Sequence, residues 1–291
     1  MRKDLWSRIR PYVMVAPAMA GIALFVLYPI GYLIYISLHK YNLMNRAKST
    51  FIGFDHYQAM FSREDFHKAL SNTFVYTASV VALTISIALA LAVWLSRKSK
   101  FNSFVQAAIF TPHVVSIVSI ALIWLWLMEP NLGFFNYVLK SLGLPPSRWL
   151  QSSGTAMMSI VMVSVWGAIG YYVLIIVAAI QSIPASLYEA AALDNASKWK
   201  VLTKITLPII SPQLFFILVV MTIGSFKVFD TVQVMTGGGP NNATNTLVYY
   251  IYTFRTSNLG YSAATGVVLM AFIGLLTVLY FRLLAKRVHY Q

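Results

Sequence analysis

The chain has 291 residues, 58% of them apolar and only 10% charged, with no cysteine and a mean hydropathy of +0.69. That composition is too apolar for a soluble globular domain and reads as an integral membrane protein; without cysteine there is no disulfide framework, thiolate metal site or thiol nucleophile. The formal charge of +14 comes from 22 Lys and Arg scattered among hydrophobic runs rather than gathered on a polar domain, so membrane orientation explains it better than nucleic acid does.

In chain order, the basic start RKDLWSRIR leads into an uncharged run from Pro11 to Leu38. Ala18, Met19 and Ala20 offer small residues for signal-peptide cleavage, but the run continues well past them, so an uncleaved first span over 12–38 is expected. Residues 39–70 are polar and of mixed charge, with Arg63, Glu64 and Asp65, and read as an exposed connection. A second span over 72–96 is closed by Arg97, Lys98 and Lys100, and a third covers 102–128. Both exceed the roughly 20 residues that cross about 30 Å of hydrocarbon. Glu129, Pro130, Gly133, Gly143, Pro145 and Pro146 mark 129–149 as a loop, and a fourth span covers 156–181.

Residues 184–212 then form a long polar interruption. Pro184 suits a first helical turn, Glu189 lies towards its positive end, and Ala190, Ala191 and Ala192 favour helix as far as Leu193. Asp194 and Asn195 tolerate left-handed backbone and can cap a following helix. In that helix Trp199, Leu202 and Ile205 recur at helical spacing, with Lys200 and Lys204 on another face, until Pro208 and Pro212 limit it. The piece reads as an amphipathic helix pair, suited to another protein's cleft or, less well, to a lipid surface. A fifth span over 213–235 contains Lys227 and Asp230; the breaker cluster TGGGPNN follows at 236–242, and a last span over 262–284 is closed by Arg282, Lys286 and Arg287.

Six spans put both termini on one side. That side carries 13 Lys and Arg in 1–11, 96–103, 181–213 and 282–291, against 8 in the longer connections of the other side. The denser side should be cytoplasmic, and with it the helix pair. No GxxxxGK[ST], HExxH or GxSxG sequence occurs, and His39, His56, His67, His113 and His289 are too dispersed for a metal case, so an enzyme is not expected.

The run EAAALDNASKWKVLTKITLP from Glu189 to Pro208 resembles the EAA motif of ABC-importer permeases. Together with TGGGP at 236–240 and Asn245, Thr246 and Leu247, it makes the chain similar to the sugar permeases related to the maltose transporter's subunits. The resemblance implies an all-α polytopic membrane protein of the type I ABC importer permease fold, in a bacterial inner membrane. It implies that Glu189, Ala190, Ala191, Asp194, Asn195 and Trp199 shape a coupling helix that docks on a cytoplasmic ATPase. Asn195 stands where the motif usually has glycine, and asparagine is among the residues most able to keep the left-handed turn.

The partners implied are a second, homologous permease, two ATPase subunits, an extracytoplasmic solute-binding protein and the lipid bilayer. ATP and magnesium belong to the partner ATPase, and no cofactor to this chain. Closure of the ATP-loaded pair would rotate the membrane helices and expose a midplane site to each side in turn. Lys227 and Asp230 either pair with each other or, with Gln233, line the path, where Lys227 would favour an anionic or hydroxyl-rich solute. Trp166, Tyr171, Tyr172, Phe226 and Phe229 are candidates for packing against sugar rings, although lipid contact or helix packing is the commoner role for any one of them; Gly167 and Gly170 suit close helix packing. The competing class is a secondary transporter or channel working without ATP, with a membrane enzyme third.

Overall fold

The structure is a computed structural model that describes residues 2–42 and 49–283. Arg46, Lys48, Lys286 and Arg287 of the charge count, and the last residue of the span expected over 262–284, lie outside the described residues. The elements in order are α1 (Arg2–Ile22), α2 (Tyr28–Ser37), β1 (His39–Lys40), β2 (Thr50–Phe51), α3 (Asp55–Phe61), α4 (Glu64–Leu95), α5 (Lys100–Val114), α6 (Ile117–Leu127), α7 (Phe134–Ser141) and α8 (Ala156–Gln181). There follow α9 (Ala185–Leu193), α10 (Lys198–Val201), α11 (Leu207–Ile209), α12 (Ser211–Phe226), α13 (Asp230–Met235), α14 (Leu247–Phe254) and α15 (Leu259–Leu283).

Helix dominates because apolar runs in hydrocarbon must satisfy every backbone N–H and C=O internally. Among the described residues, four helical stretches, Ile9–Ser37, Glu64–Leu95, Ala156–Gln181 and Leu259–Leu283, are long and apolar enough to cross a membrane. Two bent pairs, Lys100–Val114 with Ile117–Leu127 and Lys198–Ile209 with Ser211–Phe226, bring the number to six if each is one span.

Several boundaries differ from the sequence reading. The run expected over 102–128 is two helices at 98°. The run expected over 213–235 stops at Phe226 and resumes as α13. The connection at 39–70 holds a two-stranded antiparallel ribbon, α3 and the first turns of α4, and the loop at 129–149 holds α7. In that loop Glu129 accepts the backbone N–H groups of Leu132 and Asn131, which hold its carboxyl below the usual carboxylate range. Both π turns precede a proline. Ala23–Leu27 runs up to Pro29 and Leu202–Thr206 up to Pro208, with Tyr28 donating to Ala23 and Leu207 to Leu202. A proline offers no N–H to its i−4 carbonyl, and widening the preceding turn absorbs the misfit.

The chain divides into two compact units. In the first, residues 1–63 with 251–271, Gly260 lets its helix approach so closely that a Cβ would strike the His39 carbonyl and the His56 ring. The Arg63 guanidinium lies 5.4 Å from the Phe254 ring centre and 5.9 Å from that of Tyr261.

The second unit, residues 64–250 with 272–291, contains both candidate sites. Its core is α4 packed along α8, where fully buried Ala88 and Ala92 meet Val173, Ile176 and Val177. Small residues let helix backbones approach where no hydrophobic effect drives association. Gly170 does the same for α5: a Cβ there would fall on the backbone of Ile109 and Phe110, whereas one at Gly167 would meet only Ile117 Cδ1, at 3.9 Å.

The TGGGP loop is latched to the start of α4. Asn72 Nδ2 donates to the carbonyls of Asn242 (2.8 Å) and Asn245 (3.0 Å), Lys68 donates to that of Asn241, and Thr73 Oγ1 accepts Leu247 N–H at 2.8 Å. Gly238 is left-handed, φ +80°, and lies beneath Tyr249, whose ring would be 2.7 Å from a Cβ.

Gly170→Val should therefore lower stability by about 3 kcal/mol through overpacking, while Gly167→Ala should change it little. Thermal unfolding in detergent, followed by size-exclusion chromatography, measures both; equal midpoints for the two variants would contradict the packing described.

Candidate functional site: a cleft at two helix breaks and an exposed helix pair

The two interruptions of apolar helix open on the same space. At the first, Pro112 sits in the last turn of α5, Val115 and Ser116 are extended, and α6 begins without a side-chain cap. At the second, Lys227 and Val228 donate to the carbonyls of Gly224 and Ser225, three residues back, and Phe229 turns the chain before α13. Together with α4 and α8 they enclose a cleft of about 480 Å³. Pro112, His113 and Val115 come from one break, Lys227, Phe229 and Asp230 from the other, and Tyr76, Ser164 and Tyr172 from the flanking helices. Irregular backbone within a membrane is tolerated where it is buried in protein or lines a water-filled cavity.

The polar groups of the cleft come from several elements. Tyr76 donates its hydroxyl to Ser164 Oγ at 2.8 Å, fixing one wall. Lys227 and Asp230 are exposed in the cleft, and among the described residues no ion pair joins them. The single span expected over 213–235 does not hold them on one helix, because α12 ends at Phe226 and α13 begins at Asp230. The His113 ring stacks on that of Tyr171, centroids 4.6 Å apart and 16° from parallel.

Of the expected path residues, Tyr172, Lys227, Phe229 and Asp230 line the cleft, and Trp166, Tyr171, Phe226 and Gln233 do not. Phe226 is fully buried edge-on against Phe74, and Trp166 meets Trp124 at 64°. Sequence reasoning missed His113, Tyr76 and Ser164. The signal for His113 was present in Pro112, a helix breaker beside a titratable ring inside an apolar run.

The second feature is the helix pair α9–α10. Helix α9 ends in a Schellman turn: Asn195 is left-handed with φ +49°, its N–H bonds the Ala192 carbonyl at 3.1 Å, and the Ala196 N–H bonds that of Ala191 at 2.9 Å. Asparagine thus fills the glycine position by adopting the glycine conformation. The following helix is capped by Ser197, which accepts Lys200 N–H at 3.3 Å, and not by Asp194 or Asn195 as expected.

Ala191 is buried, whereas Glu189, Ala190 and Asp194 are exposed. Leu193 at 85% and Trp199 at 72% exposure leave apolar surface bare at the turn. Across the pair, the hydroxyls of Tyr188 and Thr206 lie 3.2 Å apart. Pro208 and Pro212, expected to end the helix, instead sit at the starts of α11 and α12, where a missing N–H is harmless.

The chain is 35% identical to the sn-glycerol-3-phosphate transport system permease protein UgpA of Rhizobium meliloti (strain 1021) over 289 residues, 98% of this chain and 97% of that one. It is 36% identical to UgpA of Yersinia enterocolitica serotype O:8 over 286 residues, covering 97% of this chain and 96% of that one. Among solved structures it superposes, with a TM-score of 0.79 and 25% identity over 97% of this chain and 99% of the other, on a chain of a bacterial ABC transporter involved in the import of the acidic polysaccharide alginate. Residues 82–290 match the family described as binding-protein-dependent transport system inner membrane component, and the chain belongs to that family.

Proposed function

We propose that this chain forms, with a second homologous permease, the translocation path of an ATP-driven importer for an anionic polyol or sugar, and that α9–α10 is its mechanical input. The observation that carries the reading is connectivity. The exposed helix pair lies between α8 and α12 in the chain, three residues after the one and separated from the other by the π turn at 202–206 and α11, and those two helices supply Ser164, Gly167, Tyr172, Met221 and Ser225 to the cleft wall.

A force on the pair reaches α8 through residues 182–184 and α12 through the π turn at 202–206 and α11. The Schellman turn, the buried Ala191 and the Tyr188–Thr206 contact keep the two short helices in one arrangement. The sequence has no nucleotide-binding P-loop, so the work comes from a pair of ATPase subunits that hold ATP and magnesium, and an extracytoplasmic solute-binding protein delivers the solute. The higher density of Lys and Arg on their side of the membrane supports a cytoplasmic position for the helix pair and both termini. When the ATPases close, the pair moves with them, α8 and α12 turn, and the helix breaks at 115–116 and 227–229 absorb the change so that the cleft opens to the other side.

The solute class rests on the cleft's chemistry. Lys227 presents an ammonium without a carboxylate partner among the described residues, and Ser225, Thr231, Tyr172 and Asp230 offer donors and acceptors for hydroxyls. A lysine so placed selects a phosphate or carboxylate by point charge. The curated relatives, whose names state sn-glycerol-3-phosphate, support the same class.

Three outcomes are expected. Glu189→Lys should abolish uptake while leaving membrane insertion intact; full uptake with normal ATPase association would contradict the docking role. Asn195→Gly should transport normally, whereas Asn195→Val should destabilise the turn by about 1–2 kcal/mol and speed hydrogen exchange over 190–200; equal exchange in the two would count against the left-handed turn. Lys227→Ala should raise the half-saturating concentration of glycerol 3-phosphate tenfold or more in a reconstituted transporter, and an unchanged value would remove Lys227 from the path.

A further inference from the structure

A second cavity, of about 700 Å³, lies where the ends of α4 and α8 meet the base of the helix pair. Its walls are of two kinds. Val93, Ile180, Ile183 and Leu202 make an apolar floor, and Arg97, Lys98 and Lys198 stand at the rim with no carboxylate among the lining residues. No hydrogen bond or ion pair engages those three side-chain cations among the described residues. Arg97 and Lys98 also border a neighbouring hollow beside Trp94, which is exposed.

From this geometry we infer that the cavity binds an anionic phospholipid, its phosphate between Arg97, Lys98 and Lys198 and the first carbons of its chains on Val93, Ile180 and Ile183. Three points favour a lipid over a free anion. The cavity is far larger than an inorganic phosphate, and much of its wall is apolar, which a small anion leaves unsatisfied. It also sits at the ends of two apolar helices, Leu95 and Gln181, the level at which headgroups meet a membrane-spanning protein. Basic pockets between membrane helices at that level are where anionic headgroups bind, and an interfacial tryptophan marks the same boundary.

The occupant would wedge between α4 and the base of α9–α10, touching Ala185, Tyr188 and Lys198 as well as the membrane helices. The inference goes beyond the transport reading, and its test is a lipid-binding measurement that needs no uptake.

The experiment is native mass spectrometry of the full-length chain, purified in its assembly in mild detergent and titrated with phosphatidylglycerol or phosphatidylcholine. Each cation near the surface contributes about fivefold in affinity, so phosphatidylglycerol should bind at least tenfold more tightly than phosphatidylcholine. The triple variant Arg97→Gln, Lys98→Gln, Lys198→Gln should erase the preference. The charge-preserving Arg97→Lys, Lys98→Arg, Lys198→Arg should keep it, as should Lys140→Gln, a cation remote from the cavity. Equal binding of the two lipids, a preference that survives the triple glutamine variant, or displacement of phosphatidylglycerol by millimolar inorganic phosphate would each overturn the assignment.

Discussion

The constraint on which this molecule depends is that hydrocarbon supplies no partner for a backbone N–H or C=O. Long runs such as Glu64–Leu95 and Ala156–Gln181 meet it by remaining helical throughout. The chain breaks that rule at Val115–Ser116 and at Lys227–Phe229, and both breaks face one cleft, with Tyr76, Ser164 and Tyr172 closing the space around them. The freed backbone groups and the polar side chains are thus gathered where water or a solute can reach them. Two helix breaks opposite continuous helices thus give the cleft a polar lining.

The helix pair and the TGGGP loop share a physical device for opposite ends. Each depends on left-handed residues: Asn195 in one, Gly237, Gly238, Asn241 and Asn242 in the other. In the first, the turn is short, capped and exposed, with Leu193 and Trp199 at the surface. In the second, the loop is tied inward to Lys68, Asn72 and Thr73, and Thr244 bridges the Gly239 carbonyl and the Thr236 hydroxyl, each at 2.7 Å. One turn is left exposed and the other is held in place by its hydrogen bonds.

The fold class was legible because uncharged runs longer than a bilayer is thick have few alternatives. The helix pair was legible too, since an alanine-rich helix and an Asp-Asn turn state their conformations locally, although Pro208 and Pro212 proved to start helices and not to end one. The breaks were not. Hydropathy counts apolar residues without registering that Pro112 removes a donor, and it joined Lys227 and Asp230 into one helix because their neighbours Phe226, Val228 and Phe229 are apolar. The elements α3, α7 and α14 were hidden for another reason. They are short amphipathic helices settled by tertiary contacts, such as Asn136 bridging the carbonyls of Pro130 and Ser147, and local propensity gives them little signal.

The central claim is that α9–α10 moves as one body with α8 while the cleft changes shape. The chain has no cysteine, so spin labels can be placed singly by substitution. Pulsed electron resonance between Leu193→Cys and Met158→Cys reports the pair against the far end of α8, and between Val115→Cys and Asp230→Cys it reports across the cleft. With the ATPase partners present, addition of ATP and magnesium should leave the first distance within about 2 Å, less than half of one helical turn, and shift the second clearly. A first distance that changes or broadens while the second stays fixed would contradict rigid transmission from the helix pair to the cleft.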